Sequence, residues 1–154
     1  METSDSSTQL FLNDLAVGDM FKSGIYRIDE AQIKAFARQF DPQPFHLDNE
    51  AANKTMFGGL AASGWHTAAI TMRLLVESVP LGNGLIGAAS ELSWPFPTRP
   101  GDELRVETLV SAITPSKSNP GKGLVTLQST TLNQHDQAVQ RLIGKLVVFS
   151  RPAP

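Results

Sequence analysis

The chain has 154 residues, 13 basic against 15 acidic, and no cysteine. That length suits one domain with its own core, and the missing cysteines exclude disulfides, a thiol nucleophile and a cysteine-based zinc site. A formal net charge of -2 argues against nonspecific nucleic-acid binding, and no apolar run reaches membrane-spanning length, so a cytoplasmic protein is expected.

Residues 1–9, rich in Ser and Thr, lack the apolar stretch of a signal peptide and read as a disordered tail. The domain is expected over residues 10–150, with 151–154 a second tail. An early strand is expected from Met20 to Ile28. Asp29 then opens a helix: it can cap, Gln32 sits three residues on as in a capping box, and Ile33, Phe36, Ala37 and Phe40 mark one apolar face. That helix delivers Asp41 at its end.

The run Asp41-Pro42-Gln43-Pro44-Phe45-His46-Leu47-Asp48 follows. Its prolines fix φ and remove backbone donors, which predicts an extended or turned segment rather than a helix. Such a stiff bend can bring Asp41 and His46 to one point. Asp48 reads as the cap of the next turn, beginning at Asn49. Downstream, Ser63 reads as an N-cap with Gly64 the first residue of a long apolar helix through Val79. The free N–H groups and dipole of that helix start suit developing negative charge, and Gly64 lets a ligand approach the backbone closely. Apolar residues run nearly all round this helix, which predicts burial on most sides.

Beyond Pro80 the period changes to two. Leu92, Trp94 and Phe96; Leu104 to Val110; Val125 to Thr131; and Leu142 to Val148 read as four strands in meander order. They are joined at Arg99 to Asp102, by the loop Pro115 to Gly123, and by a tight turn at His135-Asp136. The fold class is α+β, an antiparallel sheet of about five strands wrapped around the long apolar helix.

Several residue types carry a plainer reading as well. An isolated Asp-Pro is an ordinary turn signal, and a lone His is as often a core residue as a catalyst. Ser63 lacks the Gly-x-Ser-x-Gly elbow of a nucleophile. His66 reads as a structural residue near enough to support the site, and His135 as part of a surface turn. Histidines at 46, 66 and 135 have no metal-ligand spacing, so no metal is expected. Gly58-Gly59 is not part of a nucleotide-binding motif.

Taken together, the helix, Asp41 with Pro44, His46 and Asp48, the Gly-rich segment, the small-residue helix start and the late strands resemble the MaoC-like, (R)-specific enoyl-CoA hydratases of the hotdog fold. The resemblance spans Leu15 to Phe149 and departs at two places: Gln43 stands where the family usually has Asn, and Ser63-Gly64 where it has His-Gly. It implies hydration of a trans-2-enoyl thioester to an (R)-3-hydroxyacyl thioester. Asp41 would be the base and His46 its proton-passing partner. Gly64, with Ser63, would form the oxyanion and substrate-binding end, supported by Gln43, Asp48 and His66. No cofactor is expected beyond the CoA or carrier thioester that forms part of the substrate, and a homodimer or multiple of dimers is implied. Arg99, Lys117, Lys122, Arg141 and Lys145 are candidates for the CoA phosphates, and Phe57, Leu60 and Trp65 for the acyl tunnel. Two other readings stand beside it: an acyl-CoA thioesterase, since the hotdog fold hosts many, and a noncatalytic acyl-thioester-binding module.

Overall fold

Asp29 and Gln32 cap one another at the start of α1 (Glu30–Phe40): the Asp29 carboxylate accepts from the Gln32 N–H, and the Gln32 side chain accepts from the Asp29 N–H. Two orphan donors of the first turn are thereby satisfied, as the sequence pattern predicts. Ile33 and Ala37 are buried, whereas Phe40, expected on the same face, is exposed. The computed structural model describes residues 9–154, and the tail expected over residues 1–9 lies, apart from Gln9, outside the described residues. Arg151, expected in the second tail, bonds through its N–H to Asn13 and through its guanidinium to Asp14.

The other helices are α2 (Pro44–Leu47), α3 (Asn49–Asn53) and α4 (Gly64–Ser78). The strands are β1 (Met20–Lys22), β2 (Tyr26–Arg27), β3 (Ile86–Ser93), β4 (Glu103–Pro115), β5 (Lys122–Leu132) and β6 (Ala138–Phe149). They form one antiparallel sheet in the order β1-β4-β5-β6-β3, with β2 also on β4. α4 packs against β4 and β6, giving the hotdog arrangement of a long helix held by a sheet. No helix of the described residues is long and apolar enough to cross a membrane.

Three expectations need correction. The early strand is two short pieces, β1 and β2, both paired with β4, so the sheet has six strands. The meander holds for β4, β5 and β6 only; β3 lies beyond β6 at the far edge, and the chain crosses over before β4. Finally, β3 stops at Ser93, leaving Trp94 and Phe96 outside it. Pro95 and Pro97 donate no ladder hydrogen bonds, so the alternation there is not that of a paired strand.

The burial of α4 also falls short of the expected burial on most sides. Ile70, Leu74 and Leu75 face the core, but Trp65 is 59% exposed and Val76 55%. Two threonines are buried in their place. The Thr67 hydroxyl shares a hydrogen bond of 3.0 Å with Thr98, and Thr71 one of 2.6 Å with Thr131. A buried hydroxyl costs little when so paired, so the helix faces the sheet with polar groups that an apolar-count argument places outside.

Leu74 sits at the centre of the core, with Ile33, Val110, Val125 and Val139 in the same cluster. Leu74→Ala should destabilise by about 2–5 kcal/mol, because the surrounding strands have little freedom to collapse into the space. The denaturant midpoint at unchanged slope checks this.

Candidate active site

The Asp41 N–H donates to the Ala37 carbonyl at 2.9 Å, so Asp41 is the C-cap of α1. The segment that follows is not extended throughout. Pro44 to Leu47 makes a single helical turn, α2, with the Asp48 N–H bonded to the Pro44 carbonyl at 3.0 Å. Pro44 occupies the first helical position, where a missing N–H has no cost and φ is already suitable. The prolines therefore start a turn rather than prevent one. Asp48 caps α3 as expected, accepting from the Ala51 N–H at 2.8 Å.

This turn puts His46 opposite Asp41, with Nε2 3.2 Å from Oδ2. His46 is buried, and the Asp41 side chain is 16% exposed. The other ring nitrogen, Nδ1, lies 2.6 Å from the Ala61 carbonyl. A carbonyl only accepts, so Nδ1 carries a proton and Nε2 is the nitrogen free to exchange one. A lone pair on Nε2 facing a carboxylate at 3.2 Å would set acceptor against acceptor. The closed pair accordingly holds one proton between its two members.

Gln43 Nε2 donates to Asp41 Oδ1, so the longer side chain reaches the carboxylate itself. Burial raises the Asp41 pKa, but hydrogen bonds from Gln43 and Ser63 and the neighbouring His46 outweigh it and hold the carboxyl below its ordinary value. Ser63 has a second duty as N-cap of α4, its hydroxyl accepting from the Trp65 N–H at 3.2 Å. The Gly64 N–H, first in the helix, has no intrahelical partner. Gly64 and His46 both line a cleft of about 400 Å³, together with the segment Trp94 to Thr98. His66 does not join the pair: its ring stacks on Phe36 with centroids 4.6 Å apart, and burial lowers its pKa.

Residues 15–133 match the family model described as MaoC like domain. The chain belongs to that family. The MaoC-like chain is 68% identical to the crystal structure of the MaoC-like dehydratase from Rhodospirillum rubrum, with a TM-score of 0.93 over 94% of this chain and 99% of that one. It is 32% identical over 130 residues to the uncharacterized protein YdeM of Bacillus subtilis, covering 83% of this chain and 91% of the relative. It is 30% identical over 111 residues to a 3-hydroxybutyryl-CoA dehydratase of Methylorubrum extorquens, covering 70% of this chain and 68% of that one.

The other expected residues of the MaoC-like domain are divided between the cleft and other parts of the molecule. Arg99 lines the cleft, and its guanidinium donates to the carbonyls of Phe57, Gly59 and Leu60, clamping the loop before α4. Lys117 and Lys122 border a separate depression at the end of the β4–β5 hairpin, and Arg141 and Lys145 are exposed on β6. Of the expected tunnel residues, Phe57 lines the cleft, Leu60 is in the core, and Trp65 is exposed beside Trp94. The wall from Trp94 to Thr98 escaped the sequence reading, although prolines at alternate positions were the signal against a strand.

Because its folded pKa is depressed, Asp41 contributes stability above the ordinary carboxylate range, and that contribution is lost as pH falls through the lowered value. Gln43→Leu removes the first of the hydrogen bonds that lower it. The variant should titrate Asp41 at higher pH and lose less stability on acidification. Carboxyl NMR titration and acid melts check both.

Proposed function

We propose that this MaoC-like protein adds water to trans-2-enoyl thioesters of CoA to give (R)-3-hydroxyacyl thioesters, and removes it in reverse. The carrying observation is the Asp41–His46 contact at 3.2 Å, with His46 on the same cleft as Gly64. The 3-hydroxybutyryl-CoA dehydratase relative supports the same class of reaction; the stereochemistry follows the family resemblance.

The chemistry follows from the proton positions. When the pair opens with no shared proton, a water can donate one O–H to Asp41 and the other to His46 Nε2. Asp41 takes its proton as the water oxygen bonds to C3. The electrons of the double bond move to C2 and onto the thioester oxygen, where the Gly64 N–H stabilises the charge. Asp41 hands that proton across the 3.2 Å contact to His46 Nε2. His46, which lines the cleft, passes it to C2, and the pair returns to its starting state. The reaction requires acid, base and a hydrogen-bond donor, each supplied by this chain.

Hydration of crotonyl-CoA, followed by loss of enoyl absorbance with free-thiol release measured in parallel, tests the reading. Thiol release without hydration indicates a thioesterase, and neither indicates a binding module. Asp41→Asn and His46→Gln should each lower turnover by about 10²–10⁴-fold. His46 is also bonded to the Ala61 carbonyl and set edge-on to Phe45, so its variant should melt lower than Asp41→Asn. Retention of near-wild-type turnover by both variants overturns the assignment.

The working form in this proposal is a dimer or a multiple of dimers. β3 is an exposed edge strand paired on one side only, and Trp65, Met72 and Val76 form an exposed apolar stripe on α4. An edge and a stripe of this kind are covered together when two copies pair. Sedimentation at micromolar concentration should give a dimer mass or a multiple, and a monomer counts against it.

A further inference from the structure

Gly64 is covered as well as exposed to the cleft. A Cβ built on it would lie 2.6, 2.8 and 3.0 Å from Cε2, Cδ2 and Cζ2 of Trp94. Three contiguous atoms of the fused ring at nearly one distance mean that the face of the indole rests on the glycine. Even alanine there would push a rigid ring aside, so glycine permits close packing here as well as backbone access.

The indole is anchored at its polar end. Trp94 Nε1, which can only donate, bonds to Gln140 Oε1 at 2.9 Å. That bond fixes the orientation of the Gln140 amide. Gln140 is fully buried, and its Nε2 is left with no partner. An unpaired buried amide is destabilising, and a leucine of similar size would avoid it. What the glutamine provides is the position of Trp94. Trp65 braces the ring from a second side, edge-on at 5.3 Å and 78°. Trp94 is nonetheless 41% exposed and lines the cleft with His46 and Gly64. It is a wall beside the site rather than a core residue.

We propose that Trp94 is a specificity-determining residue, held by Gln140 as its positioning residue, that admits thioesters unbranched at C2 and excludes those with a C2 substituent. The inference rests on the hydratase reading for the placement of the thioester oxygen at the Gly64 N–H. With the oxygen there, the carbonyl carbon and the atoms bonded to it lie beside the indole. One of those atoms is sulfur, the same in every substrate. The other is C2, so C2 is where this wall discriminates. In this proposal the plane of the enoyl group comes edge-on to the ring at C2: a hydrogen there clears the indole, whereas a methyl in its place, lying in that plane, meets it.

The test compares kcat/KM for crotonyl-CoA and for (E)-2-methylbut-2-enoyl-CoA in the wild type, Trp94→Leu and Gln140→Leu, with melting temperatures for all three. The wild type should prefer the unbranched substrate, and the ratio of the two constants should narrow by about tenfold or more in Trp94→Leu, the scale of one methyl group in a packed pocket. Gln140→Leu should narrow it in the same direction while melting at the same or a higher temperature. A purely structural glutamine would lower the melting temperature and leave the ratio alone. Ratios unchanged in both variants overturn the proposal. Calorimetric binding of butanoyl-CoA and 2-methylbutanoyl-CoA separates this inference from the reading beneath it. Preference for the unbranched ligand without turnover of either enoyl thioester supports the wall and removes the hydratase assignment. Turnover without any preference does the reverse.

Discussion

The carbonyl of Ala61 determines which proton chemistry the neighbouring pair can do. By accepting a hydrogen bond from the Nδ1–H of His46 at 2.6 Å, it leaves Nε2 as the exchangeable nitrogen, 3.2 Å from Asp41. Were that carbonyl turned away, the imidazole could present either tautomer and the pair would lose its polarity. The peptide is held at both neighbours: the Ala61 N–H donates to Phe45 at 3.1 Å and the Ala62 N–H to Thr98 at 2.9 Å. Arg99 adds its bonds to the carbonyls of Gly59 and Leu60. A stretch with no regular secondary structure is thus fixed as firmly as a strand, and Leu60 to Ser63 is buried throughout.

This arrangement explains which parts of the site were legible in the sequence. Asp41, His46, Ser63 and Gly64 lie at helix ends, and helix ends have local chemical signatures: a capping box before α1, a proline at the first position of α2, a serine before α4. The contact between Asp41 and His46 spans five positions, close enough for spacing to imply it. Arg99, Trp94 and Gln140 act across 39 or more positions, through bonds to Leu60 and to each other, and nothing local marks them. Arg99 resembled a free cation because its acceptors are backbone carbonyls, which every residue carries.

The fold was legible to the same extent and for the same reason. Alternation identified β4, β5 and β6, whose successive pairing needs only hairpins. It did not place β3, whose partner β6 comes after two intervening strands, because periodicity reports which face is buried and not which neighbour is paired. On α4 the apolar count overstated burial for a related reason. Threonines at 67 and 71 find hydroxyl partners on other segments, so the sheet-facing side is partly polar and the surplus apolar residues are left on the outside.

The two ends of α4 consequently have different physical roles. Its middle and C-terminal turns, through Ile70, Leu74 and Leu75, bury aliphatic surface against long strands and anchor the helix axis. Its first turn bears no such burden. Ser63 caps the helix there through its hydroxyl and Gly64 lines the cleft, and the turns behind them hold the backbone in place. Under the proposed hydration, a backbone donor fixed in this way would need no reorganisation when negative charge forms beside it, the condition under which one N–H has a large effect on a reaction barrier. The hotdog core and the helix end at the cleft are therefore linked through one rigid element, with the apolar contacts at one end holding the backbone at the other.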